Sequence, residues 1–262
     1  MFIIGELING MYIKIAAAIK ERNQEVIQSC AKSQIACGAD ALDISCGTAS
    51  KDPLKDMPWL VETVQAITNK PLCLDSSKPK VIAEGLKVSR NPTIINSTTA
   101  DAEKLDLLLP LAKQYKSKLI GITIDAKGIP QNKDQRLELA AFILAQAQAH
   151  DFPLENLYLD PIVMPVNVAQ NQIPDILETI AELRMLSAPR VHTLIGLSNV
   201  SQGAKHRSLL NRTFLTMAVA SGLDSAILDP EDKELLDALI TAELLLGKNI
   251  YCDSFLEAYR KK

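Results

Sequence analysis

The chain of 262 residues is poor in histidine and lacks the common signatures of bound metals and nucleotides. Its three histidines stand far apart, and its five cysteines form no C-x-x-C pair, which argues against a closed zinc site and a disulfide framework. No G-x-G-x-x-G or Walker motif follows a predicted strand, so a Rossmann or P-loop site has no support. We therefore expect no intrinsic metal, and reduced, mostly buried thiols.

Long apolar runs and blocks of one charge are also missing. No apolar run reaches transmembrane length, and the start of the chain, Met1 to Glu6, lacks the features of a signal peptide. The formal net charge is -3, and the lysines and arginines are scattered along the chain. We expect a cytoplasmic protein that binds neither nucleic acid nor membranes.

Short apolar runs alternate with longer amphipathic segments along the whole chain, which predicts βαβ units and a parallel sheet. The candidate strands are Phe2–Gly5, Ala41–Ile44, Leu72–Leu74, Thr93–Ile95, Leu119–Ile124, Leu157–Leu159, Thr193–Gly196 and Ser225–Leu228. The candidate helices are Gln24–Cys37, Pro53–Ile67, Pro79–Val88, Ala102–Tyr115, Asp134–Ala149, Ile173–Leu186, Asn211–Ser221 and Lys233–Leu246, with Phe255–Arg260 as a possible last helix.

Eight parallel strands, each followed by a helix, predict an α/β fold of the (β/α)8 TIM barrel type and fit it better than an open doubly wound sheet. No low-complexity linker divides the chain, so we expect one domain over residues 1–262. Most prolines fall at predicted element boundaries, and Pro110 is expected to be the exception inside a helix.

Polar residues follow several predicted strands directly. Asp75, Asn96 and Asp160 each end an apolar run, and the segment Leu194–Gln202 breaks at Gly196. Helix capping explains any one such residue, but a cap needs only one small polar group per helix. Because the carboxyl ends of barrel strands converge, these side chains together indicate a ligand site.

The segment after Gly196 carries the uncharged side chains of Ser198, Asn199 and Gln202. Neutral donors and acceptors at a strand end suit a site that orients a polar heterocycle and adjusts the proton affinity of one of its atoms. A turn that merely caps the next helix is the alternative. The amino and imide N–H groups of a 2-amino-4-oxo pterin would match the acceptors at the other strand ends.

Motifs along the chain resemble those of the methyltransferases that move a methyl group between methyltetrahydrofolate and the cobalt of a corrinoid protein. They are Ile4-Gly5-Glu6 with Ile8-Asn9-Gly10, Cys73-Leu74-Asp75-Ser76, Ile95-Asn96-Ser97-Thr98, Lys127-Gly128-Ile129-Pro130, Leu159-Asp160-Pro161, Asn167-Val168-Ala169-Gln170, Gly196-Leu197-Ser198-Asn199-Val200-Ser201, Leu210-Asn211-Arg212-Thr213-Phe214 and Tyr251-Cys252-Asp253-Ser254. The resemblance covers essentially the full length.

The resemblance implies a pterin-binding site and two substrates, a tetrahydrofolate or methyltetrahydrofolate and a corrinoid (cobalamin) carried by a partner protein. In the family pattern Asp75, Asn96 and Asp160 hold the pterin ring, and Asn199 reaches the N5 atom that carries the methyl group. The implied neighbourhood is completed by Ser198, Gln202, Gly196 and Arg207. The family also implies a homodimer.

The chain departs from members that serve the corrinoid iron-sulfur protein of acetyl-CoA synthesis. It has Leu7 where they have Arg, Ser45 where they have Asn, and Asp125 where Asn is common. A catabolic system that passes methyl groups from methoxylated aromatics or methylated amines to tetrahydrofolate fits equally well. Two other functions stay open: a dihydropteroate synthase, which typically has a lysine after Ser-Arg near the seventh strand, and a non-catalytic folate-binding module.

Two loops after late strands are candidates for partner contact, Met164–Asn167 and Lys205–Arg207. Lys205 and Arg207 could instead bind the glutamate tail of the folate or form a solvated loop. The last barrel helix is apolar over more than one face, with Leu236, Leu239 and Leu244 to Leu246, so it needs a cover. A second subunit or the C-terminal segment Tyr251–Leu256 could supply that cover.

Overall fold

The computed structural model describes residues 1–48 and 50–260 of the chain. Ala49, Lys261 and Lys262, which belong to the predicted domain, lie outside the described residues. The strands are β1 Phe2–Asn9, β2 Ala41–Ser45, β3 Leu72–Asp75, β4 Thr93–Thr99, β5 Lys118–Ile122, β6 Leu157–Asp160, β7 His192–Gly196 and β8 Ser225–Leu228. They close into a parallel barrel in chain order, with β8 beside β1. The predicted (β/α)8 barrel is confirmed.

Helices surround the barrel and include every predicted one. They are α1 Ile13–Glu21, α2 Gln24–Ala36, α3 Pro53–Gln65, α4 Pro79–Val88, α5 Ala102–Gln114, α6 Lys133–Ala149, α7 Val166–Ala169, α8 Ile173–Leu183, α9 Arg207–Ala220, α10 Lys233–Leu245 and α11 Phe255–Arg260. Within the described ranges, no helix has the length and apolar character needed to cross a membrane.

Helices α1 and α7 were not expected from the sequence. Helix α1 follows Tyr12, whose side chain makes no capping hydrogen bond, so the usual start signal is missing. Helix α7 has four residues, too few for a helical period to show. Helix α9 begins at Arg207 rather than at Asn211, which moves the end of the Lys205–Arg207 loop into a helix.

Proline positions agree with the sequence only in part. Pro110 lies inside α5 as expected, but Pro58 lies inside α3, so the expectation that Pro110 is the exception was wrong. Each proline removes one intrahelical hydrogen bond. In α3 the complete burial of Met57 and Leu60 beside Pro58 offsets that loss.

Strand β1 runs four residues further than predicted because it contains an irregularity. The register with β2 shifts between Gly5 and Ile8. As a result Ile4 packs in the central barrel cluster, whereas Ile8 packs in the outer shell. The buried amide of Gln34 on α2 repairs the ladder, since its Oε1 accepts the Leu7 N–H at 3.0 Å. That oxygen would lie 2.4 Å from a Cβ at position 5, which explains the glycine there.

The barrel interior is a packed core. Central side chains such as Ile94, Ile120 and Leu194 fill it, while larger apolar clusters lie between the strands and the helices. At the amino-terminal end of the strands, Tyr158 stacks on His192 with ring centroids 4.8 Å apart. Because side chains fill the barrel at the amino-terminal end of the strands, any ligand is directed to the carboxyl ends of the strands.

All five cysteines are free thiols. Cys46 and Cys73 are buried, Cys30 and Cys37 are partly exposed, and Cys252 is exposed. The expectation that most of them are buried was therefore too broad. Burial raises the pKa of the Cys73 thiol well above its ordinary value, and the nearby charges of Asp43 and Asp75 act in the same direction.

Candidate active site

Polar side chains toward the carboxyl ends of β2, β3 and β4 stand at one level. The strand register pairs Ser45 with Asp75 and Asp75 with Asn96. Asp160 ends β6 opposite Ile122 of β5 and is 9% exposed. The predicted pterin residues therefore lie toward the carboxyl ends of β3, β4 and β6, with β5 between the last two strands. We call Asp43, Asp75, Asn96 and Asp160 the acidic floor.

Asp43 is a member of the acidic floor that the candidate set did not include. Its carboxylate is almost fully buried, and its Oδ1 accepts a hydrogen bond from Nδ2 of Asn96 at 3.1 Å. With its amide nitrogen engaged, Asn96 can present its carbonyl oxygen to a ligand. A carboxylate two residues before the end of an apolar strand is the signal that could have identified Asp43.

Burial governs the protonation of Asp43 and Asp75. It raises the pKa of Asp43 well above the usual range, and the neighbouring charge of Asp75 adds to the increase. Burial also raises the pKa of Asp75, which a hydrogen bond from Ser45 partly offsets. Two nearby carboxylates disfavour each other's charged form, and the pKa of Asp43 is raised further than that of Asp75.

Asp160 is held by the backbone around it. The Ile162 N–H donates to its Oδ1 at 2.8 Å, and a further backbone hydrogen bond comes from Gly196 of β7. Burial outweighs these hydrogen bonds and raises the pKa of Asp160 to about 7. Ile162 has φ of 56°, a left-handed conformation that is rare for a β-branched residue. Such a strained turn beside a carboxylate is typical of a functional site.

Arg136 on α6 supports the same turn and was missed from the sequence. Its side chain is fully buried, its Nε donates to the Pro161 carbonyl at 2.9 Å, and an Nη donates to Oε1 of Gln172 at 2.6 Å. Burial lowers the pKa of this guanidinium. A charged residue in a helix is normally read as solvent-facing, so nothing in the pattern marks Arg136.

Asn199 lies on a 3-10 turn, Leu197–Ser201, that follows β7. Leu197 and Val200 are buried and anchor the turn, while Asn199 is exposed to the mouth of the barrel. A Cβ at position 196 would lie 3.0 Å from Nδ2 of Asn199. Gly196 therefore gives the Asn199 amide room to lie against the end of the strand. We call residues 197–201 the Asn199 turn.

The other predicted residues near β7 have separate environments. The Ser198 hydroxyl donates to Glu6 of β1 at 2.6 Å. The Arg207 Nε donates to the Ser201 hydroxyl at 3.1 Å, so its guanidinium lies on the Asn199 turn. Gln202 and Lys205 are exposed in the loop that leads to α9.

The two loops expected to meet a partner lie side by side. A Cβ at Gly203 would come within 3.3 Å of Nδ2 of Asn167, which belongs to α7 after β6. On the opposite side of the mouth, a cavity of about 460 Å³ extends from Ser45 and Asp75 to Met11. That volume falls within the range of small-molecule sites, and Asp75 is the member of the acidic floor that lines it.

Comparisons with known proteins identify the family of this chain. The family model described as pterin binding enzyme matches residues 14–229. The methylcorrinoid:tetrahydrofolate methyltransferase of Eubacterium limosum is 30% identical over 263 residues, covering 100% of this chain and 97% of that protein. The methionine synthase of Mycobacterium tuberculosis is 27% identical over 240 residues, which are 87% of this chain and 20% of that protein.

Solved structures with the same fold include dihydropteroate synthases. That of Thermus thermophilus has a TM-score of 0.68 at 20% identity, covering 93% of this chain and 94% of that one. That of Coxiella burnetii in complex with pteroic acid has a TM-score of 0.70 at 15% identity, covering 95% and 94%. At these identities the likeness establishes the barrel alone. The family match and the full-length relative confirm the resemblance found in the sequence: this chain is an enzyme that belongs to the pterin-binding enzyme family.

Proposed function

We propose that the protein moves a methyl group between N5 of a tetrahydrofolate and the cobalt of a corrinoid carried by a partner protein. The observation that carries this proposal is the placement of an exposed neutral amide, Asn199, at the same end of the barrel as the acidic floor, of which Asp43 and Asp160 are buried. The full-length similarity to a methylcorrinoid:tetrahydrofolate methyltransferase supports it. We propose that the pterin occupies the floor and that the reacting atom faces Asn199.

The acidic floor suits the donor edge of a pterin. The amino group and the N3–H of the pterin ring can donate to the carboxylates of Asp75 and Asp160 and to the carbonyl oxygen of Asn96. Loss of one acceptor would leave a desolvated N–H group without a partner, at a cost of roughly 1–3 kcal/mol. Recognition by this edge leaves N5, on the other ring of the pterin, free to approach a second protein.

Asn199 suits a reaction at a ring nitrogen in either direction. When tetrahydrofolate is the acceptor, the N5 lone pair forms the bond to the methyl carbon, the cobalt keeps the electron pair of the broken bond, and the N5 proton leaves. The carbonyl oxygen of Asn199 can accept the N5–H hydrogen bond before transfer, and its NH2 group can donate to N5 in the reverse reaction. A fixed amide thus stabilises charge as it develops at N5.

For the physiological direction we propose transfer from the methylcorrinoid to tetrahydrofolate. The name of the Eubacterium limosum relative puts the methylcorrinoid first, and that protein matches this chain over its whole length. Rates measured with methylcob(III)alamin plus tetrahydrofolate, and with methyltetrahydrofolate plus cob(I)alamin, would compare the two directions. A much faster reaction in the second direction would reverse this part of the proposal.

A dihydropteroate synthase shares the barrel but has weaker support. The segment that would hold Ser-Arg and a nearby lysine reads Ser198-Asn199-Val200 here. The nearest basic side chain on α9, Arg207, is engaged with the Asn199 turn. A non-catalytic folate-binding module does not agree with membership of an enzyme family.

Spectroscopic assay of methyl transfer is the experiment that tests the function. Purified protein with tetrahydrofolate and methylcob(III)alamin should convert the cobalt spectrum to that of cob(I)alamin under anaerobic conditions. Asn167→Ala, which removes another amide from the mouth, is the matched control for Asn199→Ala in this assay with free cobalamin. Condensation of a pterin pyrophosphate with p-aminobenzoate, without methyl transfer, would favour the synthase and contradict the proposal.

We also propose that the corrinoid protein docks on an apolar rim around the mouth. Met11 and Ile13 after β1, Val168 on α7 and Leu209 in the first turn of α9 are all exposed, and Ile13 is 90% exposed. Large exposed side chains gathered at one end mark an interaction site. A corrin must descend to this mouth to reach N5. Ile13→Asp should slow methyl transfer from the protein-bound methylcorrinoid but not from free methylcob(III)alamin.

A second copy of the chain is proposed to cover the groove between α9 and α10. This groove has a volume of about 570 Å³. Its lining combines small and apolar side chains such as Ala238, Ala242 and Leu245 with the charged side chains of Arg212, Glu234 and Asp237. Leu245 is 81% exposed, and Tyr251 in the candidate C-terminal cover is itself exposed. Light scattering at micromolar concentration should give the mass of a dimer, and Leu245→Glu should give a monomer. A monomeric wild-type protein would contradict this arrangement.

A further inference from the structure

A hydrogen bond joins the Asn199 turn to β1, which is distant in the sequence. Glu6 on β1 accepts the Ser198 hydroxyl through its Oε1 at 2.6 Å, although 192 positions separate the two residues. Barrel closure makes this possible, because β1 pairs with β8 and β8 pairs with β7. The residue immediately before Asn199 is therefore anchored to another strand.

The position of Glu6 is itself built into the backbone. Glu6 lies within the register shift of β1, and the neighbouring Leu7 N–H is held by the buried amide of Gln34. Irregularities of this kind re-aim side chains beside active sites. Burial raises the pKa of the Glu6 carboxyl, which the hydrogen bond from Ser198 and the charge of Arg207 partly offset. The side chain of Glu6 is partly buried at the side of the mouth.

A second contact holds the other flank of the turn. The Arg207 Nε donates to the Ser201 hydroxyl at 3.1 Å, and its Nη2 lies 3.5 Å from the Ser198 carbonyl oxygen. Asn199 lies between these two anchored serines, and its own amide lies over Gly196. Two hydrogen-bonded flanks and a fitted seat leave the exposed amide few alternative positions.

We propose that Glu6 is a positioning residue that holds the Ser198 hydroxyl and thereby fixes the direction of the Asn199 amide. This inference rests on the proposed function for its kinetic consequence, but its structural content stands without it. The carboxyl acts through Ser198 and Asn199. It needs only an oxygen that accepts the Ser198 hydrogen bond, so a glutamine should serve in its place.

Kinetics with free cobalamin test the consequence. Glu6→Ala should lower kcat by roughly tenfold to a hundredfold, as displacement of a catalytic group does, with little change in the affinity for tetrahydrofolate. Glu6→Gln should restore most of the rate. The double variant Glu6→Ala/Asn199→Ala should be no slower than Asn199→Ala alone, because both substitutions remove the same interaction. Glu231→Ala, which removes an exposed carboxylate after β8, is the matched control.

The side-chain amide of Asn199 reports its position whether or not the protein transfers a methyl group. In protein labelled with nitrogen-15 asparagine, the Asn199 NH2 signals are assigned as those missing from Asn199→Ala. Glu6→Ala and Ser198→Ala should shift or broaden them, whereas Glu6→Gln and Glu231→Ala should leave them in place.

The inference is overturned by unchanged Asn199 signals in Glu6→Ala. It is also overturned by kinetic losses that multiply in the double variant, or by failure of glutamine to restore the rate, since either result would show that the carboxyl acts directly. If the wild-type protein moves no methyl group but the signals still respond to Glu6→Ala, the proposed function fails and the positioning role stands.

Discussion

The two sides of the barrel mouth are built in different ways. On the β2, β3, β4 and β6 side, three carboxyl groups and the amide of Asn96 stand toward the strand ends, and the sheet register alone puts Ser45, Asp75 and Asn96 at one level. On the β7 and β1 side, a neutral amide projects from a short turn that is held by Glu6 and Arg207. The sheet register sets the position of the acidic floor, which suits recognition of a ligand. Side-chain contacts set the position of the Asn199 turn, which suits a role in the reaction.

Removal of the Asn199 amide, which we propose to contact N5, should produce the largest effect. Asn199→Ala should lower turnover by about 10²–10³-fold, the usual loss for one preorganised hydrogen-bonding group. Its affinity for folate should stay close to that of the wild type, because the floor is intact. Stopped-flow spectroscopy with saturating substrates measures the rate. Near-normal turnover would remove Asn199 from the mechanism.

Filling the seat of that amide should have the next largest effect. Gly196→Ala places a methyl group 3.0 Å from Nδ2 of Asn199, so the amide has to move. Gly196 has φ of -82°, which alanine adopts without strain, so the fold should be retained. We expect a loss of roughly tenfold in kcat from the displacement. An unchanged kcat would show that Asn199 tolerates a range of positions.

These expectations show how far the sequence can be read. The positions of Asp75, Asn96 and Asp160 in the floor were predictable, because each ends an apolar run and a parallel barrel brings such ends together, whereas Asp43 was missed. The fold followed from the count of strands and helices for the same reason. The support of the Asn199 turn was not predictable, because the Glu6 contact depends on a register shift and on barrel closure. Arg136 was hidden by its helical position and its charge.

The protonation of Asp160 in the acidic floor should make the free energy of unfolding depend on pH. The folded pKa of Asp160 is raised to about 7, above its ordinary value of 3.8, so the folded protein binds more protons than the unfolded chain between these values. Its contribution to the free energy of unfolding is therefore fully present below the unfolded value and is lost as pH rises through 7.

Asp160→Asn should remove this dependence. We expect the ligand-free variant to melt higher than the wild type at pH 8, by roughly 2–4 °C for each 1 kcal/mol gained, with a smaller difference at pH 5. Differential scanning calorimetry at the two pH values checks the sign. The account of Asp160 as a buried charge would be contradicted if the melting temperature of the variant, relative to that of the wild type, were lower at pH 8 than at pH 5.

Reversal of the charge at Lys205 should have the smallest effect. It should also show whether this side chain contacts the partner protein or the folate. Lys205 is exposed, whereas Arg207 is engaged with the Asn199 turn, so Lys205→Glu probes the loop without loosening the turn. It should slow methyl transfer from a protein-bound methylcorrinoid through the encounter rate and leave transfer from free methylcob(III)alamin unchanged. Lys32→Glu on the outer face of α2 is the control for net charge. Equal losses with both methyl donors would assign Lys205 to the folate tail.

Calorimetric titration of tetrahydrofolate into Asp160→Ala and Asn199→Ala tests most directly the division between a recognising floor and a reacting turn. The division predicts that Asp160→Ala loses roughly 1–3 kcal/mol of binding free energy, since a pterin N–H group loses its acceptor, while Asn199→Ala binds almost as tightly as the wild type. Equal losses in the two variants, or a loss confined to Asn199→Ala, would contradict it.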